Sequence, residues 1–275
     1  MKKLLAVILA GAMALTVVAC AGKTDAASAD QSSERTSLTV GFDAEFPPYG
    51  FLDESTGEYV GFDLDLAEEV CKRNGWELKK QPIDWDAKDM ELSSGAIDCI
   101  WNGFTINGRE DQYTWSVPYV DNSQVFVVAA DSGIKTKADL AGKNVGVQKD
   151  SSALAALEDE ENPDNIALRD SFADLIQYAD YNTGFMDLEA GAIDCLALDI
   201  GVASFQISQR EKGAYVMLDE KLSLEQYGVG FKLGNEELKN QVEKTLLEMV
   251  DDGTFTKIAE KYSDYGLTDS VCLGK

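Results

Sequence analysis

The chain has 275 residues, of which 45% are apolar, so it can bury the core of one large domain or of two lobes of ordinary size. Its formal net charge of −25 repels phosphate backbones and anionic lipid surfaces, which argues against a nucleic-acid-binding protein. Because the chain contains no histidine, Ser-His-Asp catalysis, Cys-His catalysis and His-ligated zinc are excluded. An enzyme of this composition would have to act through carboxylates, tyrosines or lysines.

The N-terminus has the pattern of a secretory signal. Lys2 and Lys3 precede an apolar run at residues 4–19, which is too short to span a bilayer comfortably. The run ends in Val-Val-Ala-Cys, which resembles a lipobox and would make Cys20 the lipidated first residue of the mature protein. We therefore expect residues 1–20 to be a lipoprotein signal peptide that leaves the protein anchored to the outer face of the cytoplasmic membrane. The alternative is an ordinary secretory signal with an incidental cysteine.

The folded part of the chain is expected to begin after a tether. Residues 21–37 are rich in alanine, serine, threonine and aspartate and show no apolar period, which is typical of a flexible linker. A strand is predicted at residues 38–42, and a loop stiffened by two prolines follows it. The loop carries Asp43, Glu45, Phe46 and Tyr49. Since ligands of open α/β sheets bind beyond the carboxyl ends of the strands, we expect a binding surface here; the alternative is that the rings pack on the core.

Four cysteines follow Cys20, and their spacing fits no disulfide framework or metal motif. Cys99 and Cys195 lie in predicted apolar strands, where we expect them to act as small hydrophobic residues that are not bonded to each other. Cys71 and Cys272 are a candidate disulfide.

A helix is predicted over residues 61–74, with Asp63 and Asp65 at its start. Two neighbouring carboxylates could form a catalytic dyad. Their position at the beginning of a helix favours capping and interaction with the helix macrodipole instead. A strand at residues 76–82 and a short helix that begins near Trp85 come next.

The most informative block of the sequence covers residues 95–109. A buried strand is predicted at residues 97–100, and it leads through a polar loop to Arg109, one of only five arginines in a chain with 49 acidic residues. A guanidinium presents a planar fork that matches a carboxylate in two parallel hydrogen bonds. The block therefore predicts a carboxylate-binding site at the carboxyl end of a strand. The alternative is a surface arginine that pairs with Glu110 or Asp111.

The next predicted elements are strands at residues 125–130 and 144–147, with a short helix at 139–142 between them. A further helix begins at Ser151 or Ser152. Its free N–H groups would form an anion site. The alternative is that one of the two serines merely caps the helix.

An internal echo suggests two lobes. Residues 189–199 nearly repeat residues 94–101, each with a glycine that stops a helix and a buried strand after it. The second copy ends in Asp199, at the carboxyl end of its strand, where the first has Asn102. The remaining elements are a predicted strand at 227–231 and helices at 235–250 and 254–262.

Four blocks of the sequence resemble one known family, the bacterial extracellular solute-binding proteins of family 3, which are amino-acid receptors of ABC importers. The blocks are Val40-Gly-Phe-Asp-Ala-Glu-Phe-Pro-Pro-Tyr49, Gly61-Phe-Asp-Leu-Asp65, residues 95–119 and Asp139-Leu-Ala-Gly-Lys-Asn-Val-Gly-Val-Gln148. They stand in the family's order, and with later matches they span roughly residues 38–265.

The resemblance implies an α/β fold of the two-lobe, type II periplasmic-binding-protein kind, with two crossing hinge strands near residues 119–123 and 224–228. The expected division assigns residues 38–120 and 228–275 to lobe 1. Residues 121–227, with the hinge strands, form lobe 2.

The family's binding roles can be carried over position by position. Arg109 would hold the α-carboxylate of an amino acid, assisted by the main-chain N–H groups of Thr105 and Ser152. Asp199 and the carbonyl of Gly103 would hold the α-ammonium. Phe46 and Trp85 fall where the family holds the ligand side chain between rings, and Asp43 falls where it places a polar contact. Apart from the family's pattern, Trp101 offers a third ring face for the ligand side chain. Two departures from the family pattern stand out: the loop before Arg109 is one residue shorter than usual, and Asp150 stands where a glycine is common.

These roles predict a substrate-binding receptor rather than an enzyme, and no cofactor or metal is expected. The receptor is expected to act as a monomer and to deliver its ligand to an ABC transporter permease in the membrane. Asp43 and Glu45 beside ring faces favour a polar neutral or cationic L-amino acid, since no second arginine is evident for an acidic side chain. Cystine is the first alternative. A carboxylate-based dehydratase of the same fold and a surface adhesin are the others.

Overall fold

The computed structural model describes residues 35–275, and the predictions that fall on residues 1–34, including lipidation of Cys20, lie outside this range. Its first large sheet has the strand order β5-β1-β6-β14-β7. The strands are β1 (Ser37–Phe42), β5 (Glu77–Pro82), β6 (Cys99–Ile100), β7 (Thr114–Trp115) and β14 (Gly230–Phe231). β1 pairs in parallel with β5 and β6, and β14 runs antiparallel to β6 and β7. A late segment of the chain thus completes a sheet that the first third begins.

The second sheet has the order β10-β9-β11-β8-β12, with β13 also paired to β8. Its strands are β8 (Val120–Ala129), β9 (Asn144–Gln148), β10 (Asp174–Tyr178), β11 (Cys195–Asp199), β12 (Tyr215–Met217) and β13 (Ser223–Tyr227). A small antiparallel sheet of β2 (Glu45–Phe46), β3 (Gly50–Asp53) and β4 (Glu58–Val60) follows β1. This small sheet, which the sequence did not reveal, holds the loop after β1 in place.

Nine α-helices are found in the described part of the chain. They are α1 (Phe62–Asn74), α2 (Lys88–Ser94), α3 (Ser152–Glu158), α4 (Pro163–Asp170), α5 (Tyr181–Glu189), α6 (Ile200–Ser208), α7 (Glu236–Asp251), α8 (Thr254–Glu260) and α9 (Leu267–Ser270). α7 buries Leu238, Val242 and Leu246 of its apolar stripe, and Val250, at the end of the stripe, is only partly buried. Between residues 35 and 275, no helix is long and apolar enough to cross a membrane.

Two segments of chain connect the sheets. One is the start of β8, and the other is the step from β13 to β14 through Gly228. β8 and β13 lie antiparallel, with Val120 opposite Tyr227 and Gln124 opposite Ser223. The predicted fold of two α/β lobes joined by two crossing strands is therefore confirmed.

Some local predictions were wrong in detail. The strand predicted at 125–130 already begins at Val120, because its first residues form the hinge. The segment predicted as one strand at 227–231 is divided between β13 and β14 by Gly228 and Val229. The short helix expected at 139–142 is a 3₁₀ turn over Lys137–Leu140, and α4 and α6 were not predicted.

All four cysteines in the described range are free. The candidate disulfide between Cys71 and Cys272 is therefore not formed: Cys71 lies in α1 against the hydrophobic core, and Cys272 follows α9. Cys99 and Cys195 are fully buried in β6 and β11. Burial raises the pKa of both thiols well above the ordinary value, as expected of small hydrophobic residues.

Candidate functional site

The candidate site lies where the carboxyl ends of strands from the two sheets meet. β1 ends before Asp43, and β6 leads into the loop from Trp101 to Arg109. From the other sheet, β9 leads to Ser152 and β11 ends at Asp199. Hydrogen bonds across this boundary, described below, show that the two groups of residues face each other in one cleft.

Arg109 spans the cleft. Its Nη1 donates to Ser152 Oγ at 3.0 Å and to the carbonyl of Thr105 at 3.4 Å, and its guanidinium lies 5.4 Å from the ring centre of Phe104. Within residues 35–275 no acidic side chain forms an ion pair with Arg109, so the alternative of a surface pair with Glu110 is not what the structure contains. The guanidinium therefore keeps an uncompensated positive charge that is directed into the cleft.

The two serines at the start of α3 have different roles. Ser151 is the N-cap, and its side chain accepts a hydrogen bond from Leu154 N at 3.2 Å. Ser152 faces Arg109 instead. The capping alternative is thus correct for Ser151 alone.

Asp199 is 4% exposed and accepts hydrogen bonds at Oδ1 from Asn122 Nδ2 at 2.8 Å, Gln124 Nε2 at 2.7 Å and the Tyr227 hydroxyl. Burial, and next the charge of Glu225, raise the pKa of Asp199 to about 7. Glu225, at 7% exposure, accepts at Oε1 from the same two amides and from Thr105 Oγ1 at 2.8 Å. Thr105 therefore joins the arginine side of the site to the carboxylate side.

Asp43 also connects the lobes. Its Oδ1 accepts from the main-chain N–H of Glu45 at 2.8 Å, and its Oδ2 accepts from Gln148 Nε2 at 2.7 Å. Burial raises the pKa of Asp43 to about 6 against the opposing effect of these hydrogen bonds.

Gly103 occupies a position that disfavours a side chain. Its φ is +56°, and a Cβ there would lie 2.9 Å from Phe46 and 3.0 Å from Tyr227. Its N–H donates to Asp63 Oδ2 at 2.5 Å, and the Tyr119 hydroxyl donates to the same oxygen at 2.9 Å. Asp63 is fully buried and orients the loop of Gly103. The position of Asp63 near the start of α1 did not reveal this role.

The capping interpretation of Asp63 and Asp65 was therefore wrong. α1 begins after Gly61 without a side-chain cap, although both carboxylates lie in its first turn, where they suit the macrodipole. Asp65 binds Lys261 at 2.9 Å and Tyr262 at 3.1 Å. The two aspartates thus have separate partners and do not form a dyad.

The predicted aromatic residues have separate neighbours. Phe46 lies between Tyr49 and Tyr181, with ring centres 5.7 and 6.0 Å away, so it contacts the other lobe. Trp85 packs edge-on against the ring of Phe104. Its Nε1 donates across the cleft to the carbonyl of Asp150 at 3.2 Å. Trp101 is fully buried in the core against Tyr119, 6.5 Å between ring centres.

An acidic cavity of about 680 Å³ opens beside Asp43 at the boundary of the lobes. The acids on its wall are Asp43, Glu45, Asp84, Asp86, Glu91 and Asp180, and the base on its wall is Lys149. Lys149 is already paired with Asp86. In the part of the chain that the structure covers, no group of three or more acidic or cysteine side chains is arranged to hold a metal ion.

Sequence reasoning missed four polar residues of the cleft: Asn122, Gln124, Gln148 and Glu225. Asn122 and Gln124 alternate along β8, so both side chains leave the same face of the strand. A run of four polar residues at 121–124, at the predicted hinge and directly before the apolar part of β8, was the available signal.

A type II periplasmic-binding-protein fold with a polar cleft between its lobes is the class that these observations define. Residues 38–265 match the profile of "Bacterial extracellular solute-binding proteins, family 3". The chain belongs to this family.

Individual relatives agree with this assignment. The "L-cystine-binding protein TcyJ" of Escherichia coli (strain K12) is 31% identical over 92% of this chain and 94% of its own length. A histidine-bound ABC uptake transporter substrate-binding protein from Streptococcus pneumoniae is 35% identical, covers 82% of this chain and 92% of its own, and has a TM-score of 0.78. An ancestral arginine-binding protein bound to arginine is 36% identical over 83% of this chain and 99% of its own, with a TM-score of 0.75.

Proposed function

We propose that this protein is the substrate receptor of an amino-acid ABC importer, which closes around a polar neutral or cationic L-amino acid and delivers it to a membrane permease. It works as a monomer, held at the outer face of the cytoplasmic membrane by lipidated Cys20. Residues 38–120 and 228–275 act as one lobe and residues 121–227 as the other, so closure brings the binding groups together.

The observation that carries this proposal is a pair of opposite, uncompensated charges in one cleft. Arg109 has no acidic partner in the described chain, and Asp199 is a buried carboxylate whose hydrogen-bond donors are all uncharged. Thr105 connects the two sides, as its carbonyl accepts from Arg109 and its hydroxyl donates to Glu225. An amino acid carries the complementary pair, a carboxylate and an ammonium at fixed separation.

The roles of the site residues follow from this pairing. Arg109, with the main-chain N–H groups of Thr105 and Ser152, binds the α-carboxylate. Asp199 and the Gly103 carbonyl bind the α-ammonium. The ligand side chain lies against Phe46, Trp85 and Asp43, while Trp101 is buried against Tyr119.

The affinity that this site could provide is consistent with a transport receptor. Charge-assisted hydrogen bonds contribute roughly 1.5–3 kcal/mol each. Several of them, minus the free energy needed for closure, reach the approximately −8 kcal/mol of a micromolar complex. Because contacts come from both lobes, the ligand stabilises the closed state by its differential affinity.

The acidic cavity favours a polar neutral or cationic side chain. An acidic ligand would bring its second carboxylate beside Asp43 and Glu45, where the one lining base, Lys149, is already paired. Cystine is the second candidate: the cavity offers about 680 Å³ beyond Asp43 for a second amino-acid half, and a cystine-binding protein is among the relatives.

The test is a ligand screen on stripped protein. The protein is unfolded, freed of carried-over ligand and refolded, and its melting temperature is then measured with each of the twenty amino acids and with cystine. We expect a clear rise with one or a few polar neutral or basic amino acids, or with cystine. No rise with any of them would contradict the proposal, and conversion of the bound compound during long incubation would favour an enzyme.

A further inference from the structure

Asp199 and Glu225 share the same two amide donors. Asn122 Nδ2 donates to Asp199 at 2.8 Å and to Glu225 at 2.7 Å, and Gln124 Nε2 donates to them at 2.7 and 2.8 Å. Asp199 Oδ1 accepts one hydrogen bond from each amide, and Glu225 Oε1 does the same. The two carboxyl groups therefore occupy a single buried pocket. Like charges at such close range disfavour simultaneous ionisation.

Among residues 35–275, this pocket collects hydrogen-bond acceptors but no positive charge. No lysine or arginine between residues 35 and 275 forms an ion pair with Asp199 or Glu225. The titratable groups that face Asp199 are Glu225, Tyr49, Tyr181 and Tyr227. The side-chain carbonyl oxygens of Asn122 and Gln124 are buried and accept no hydrogen bond.

We propose that Asp199 and Glu225 form one ammonium-binding pocket that shares a single proton in the ligand-free protein, and that the α-ammonium of the bound amino acid displaces this proton into solvent. The inference rests on the proposed function and adds Glu225 as a positioning residue, which acts through Asp199. The charge balances: two carboxylates and one proton carry −1, and two carboxylates and one ammonium also carry −1.

The pocket's ionisation falls in the physiological range. Burial and the charge of Glu225 raise the pKa of Asp199 to about 7. Below this pH the proton is present and must leave before the ammonium binds, so affinity falls as pH falls. With one proton and a pKa near 7, Kd at pH 6 should be about tenfold higher than at pH 8.

Proton release can be measured directly by titration calorimetry. The refolded wild-type protein is titrated at pH 6.5 in buffers of different ionisation enthalpy with the tightest binder among L-arginine, L-lysine, L-glutamine and L-cystine. We expect most of one proton to be released per amino acid bound. Kd is then measured from pH 6 to 8.

The key variant is Glu225→Gln, which removes one carboxyl group and leaves Asp199 to ionise alone. It should still bind the same amino acid, with proton release reduced to less than about half of the wild-type value and a flatter pH profile. Glu237→Gln makes the same change of charge on the exposed face of α7 and should release protons as the wild type does. Asp43 is unchanged in both the wild type and Glu225→Gln. The difference in proton release between these two proteins therefore contains no contribution from Asp43.

The outcomes separate the two proposals. If the wild type binds an amino acid without releasing a proton and with a flat pH profile, the shared proton is refuted and the receptor function stands. If Glu225→Gln releases as many protons as the wild type, Glu225 has no part in the pocket. If Glu225→Gln does not fold, Glu225→Asp takes its place and must retain the release, and if no amino acid binds the wild type, both proposals fall.

Discussion

Lys88 of α2 forms an ion pair with Asp150 from the opposite side of the cleft, and the lysine side chain is only 2% exposed. The Lys88 ammonium also lies 5.0 Å from the ring centre of Trp85, whose Nε1 donates to the carbonyl of Asp150. Asp150 adopts a φ of +56°, a conformation that glycine usually occupies. Asp150, which the resemblance places where a glycine is common, thus pairs with a buried lysine from the other side of the cleft.

This ion pair should help to hold the cleft closed. Asp150→Asn removes the charge and tolerates the left-handed backbone, so it leaves Lys88 without its carboxylate partner. A hydrogen bond to a charged group contributes about 1.5–3 kcal/mol, so we expect Kd to rise roughly 10- to 100-fold. The increase should come mainly from faster dissociation, which stopped-flow fluorescence can measure.

Asp170→Asn is the control for this prediction. The pair of Asp170 with Arg169 lies within α4 and Asp170 is well exposed, so its loss should change dissociation little. The Lys88→Met, Asp150→Asn double variant should recover part of the affinity that Asp150→Asn alone loses. Equal dissociation rates for wild type and Asp150→Asn would show that the pair does not stabilise closure.

The opposite charges of the amino-acid site predict separate effects on binding and stability. Arg109→Ala and Asp199→Asn should each weaken binding by at least about 100-fold, because Arg109→Ala leaves the buried α-carboxylate of the ligand unpaired and Asp199→Asn removes the carboxylate that contacts the α-ammonium. Since burial raises the pKa of Asp199, its ionised form destabilises the ligand-free fold, and Asp199→Asn should raise the melting temperature at pH 8. Calorimetry and thermal unfolding test the two effects.

Arg169→Ala serves as the control for the arginine, because Arg169 pairs with Asp170 on the surface. It should bind with wild-type affinity. Near-normal affinity in Arg109→Ala or Asp199→Asn would remove the role proposed for that residue.

The sequence was informative where function depends on short segments. Arg109 and Asp199 each follow a buried apolar strand, so their place at a strand's carboxyl end could be predicted. Lys88 could not be paired with Asp150, because 62 residues separate them and only the closed fold brings them together. Glu225 was missed for the same reason, as its partner Thr105 is 120 residues away.

Buried polar side chains were the other limit. Asp63 stands in the first turn of α1, where an aspartate ordinarily caps or meets the macrodipole, and the sequence offered no sign that it is fully buried beneath Gly103. Hydrophobic periodicity locates strands and helices, but it does not show which carboxylate a distant loop will need.

The ligand-free protein should be more stable at pH 5 than at pH 7.5. Burial raises the pKa of Asp43 to about 6 and of Asp63 and Asp199 to about 7, from 3.8 when unfolded. Between pH 4 and 7 the folded state therefore binds more protons than the unfolded state, so stability falls as pH rises through this window. Denaturant unfolding at several pH values measures the slope.

Asp63→Asn tests the contribution of a single group. The side-chain oxygen of asparagine can still accept hydrogen bonds from Gly103 N and the Tyr119 hydroxyl, so the fold should be kept. The variant lacks only the ionisable carboxyl group of Asp63. Its stability should depend less steeply on pH than that of the wild type. A wild-type stability that rises from pH 5 to 7.5 would contradict this account of the buried carboxyls.

Asp43 should decide between cationic and neutral side chains. It is 6% exposed and is held by Glu45 N and Gln148 Nε2 at the edge of the acidic cavity. Because a carboxylate accepts hydrogen bonds from both an amide and a cation, Asp43→Asn should weaken L-arginine or L-lysine far more than L-glutamine, by the loss of a charged pair. Calorimetry of the wild type and of Asp43→Asn with each amino acid gives the comparison. Asp84→Asn is the control: it removes a more distant charge on the cavity wall, so its effect should be weaker. If the refolded wild type binds L-glutamate or L-aspartate more tightly than every neutral and basic amino acid, this account of the side-chain pocket is wrong.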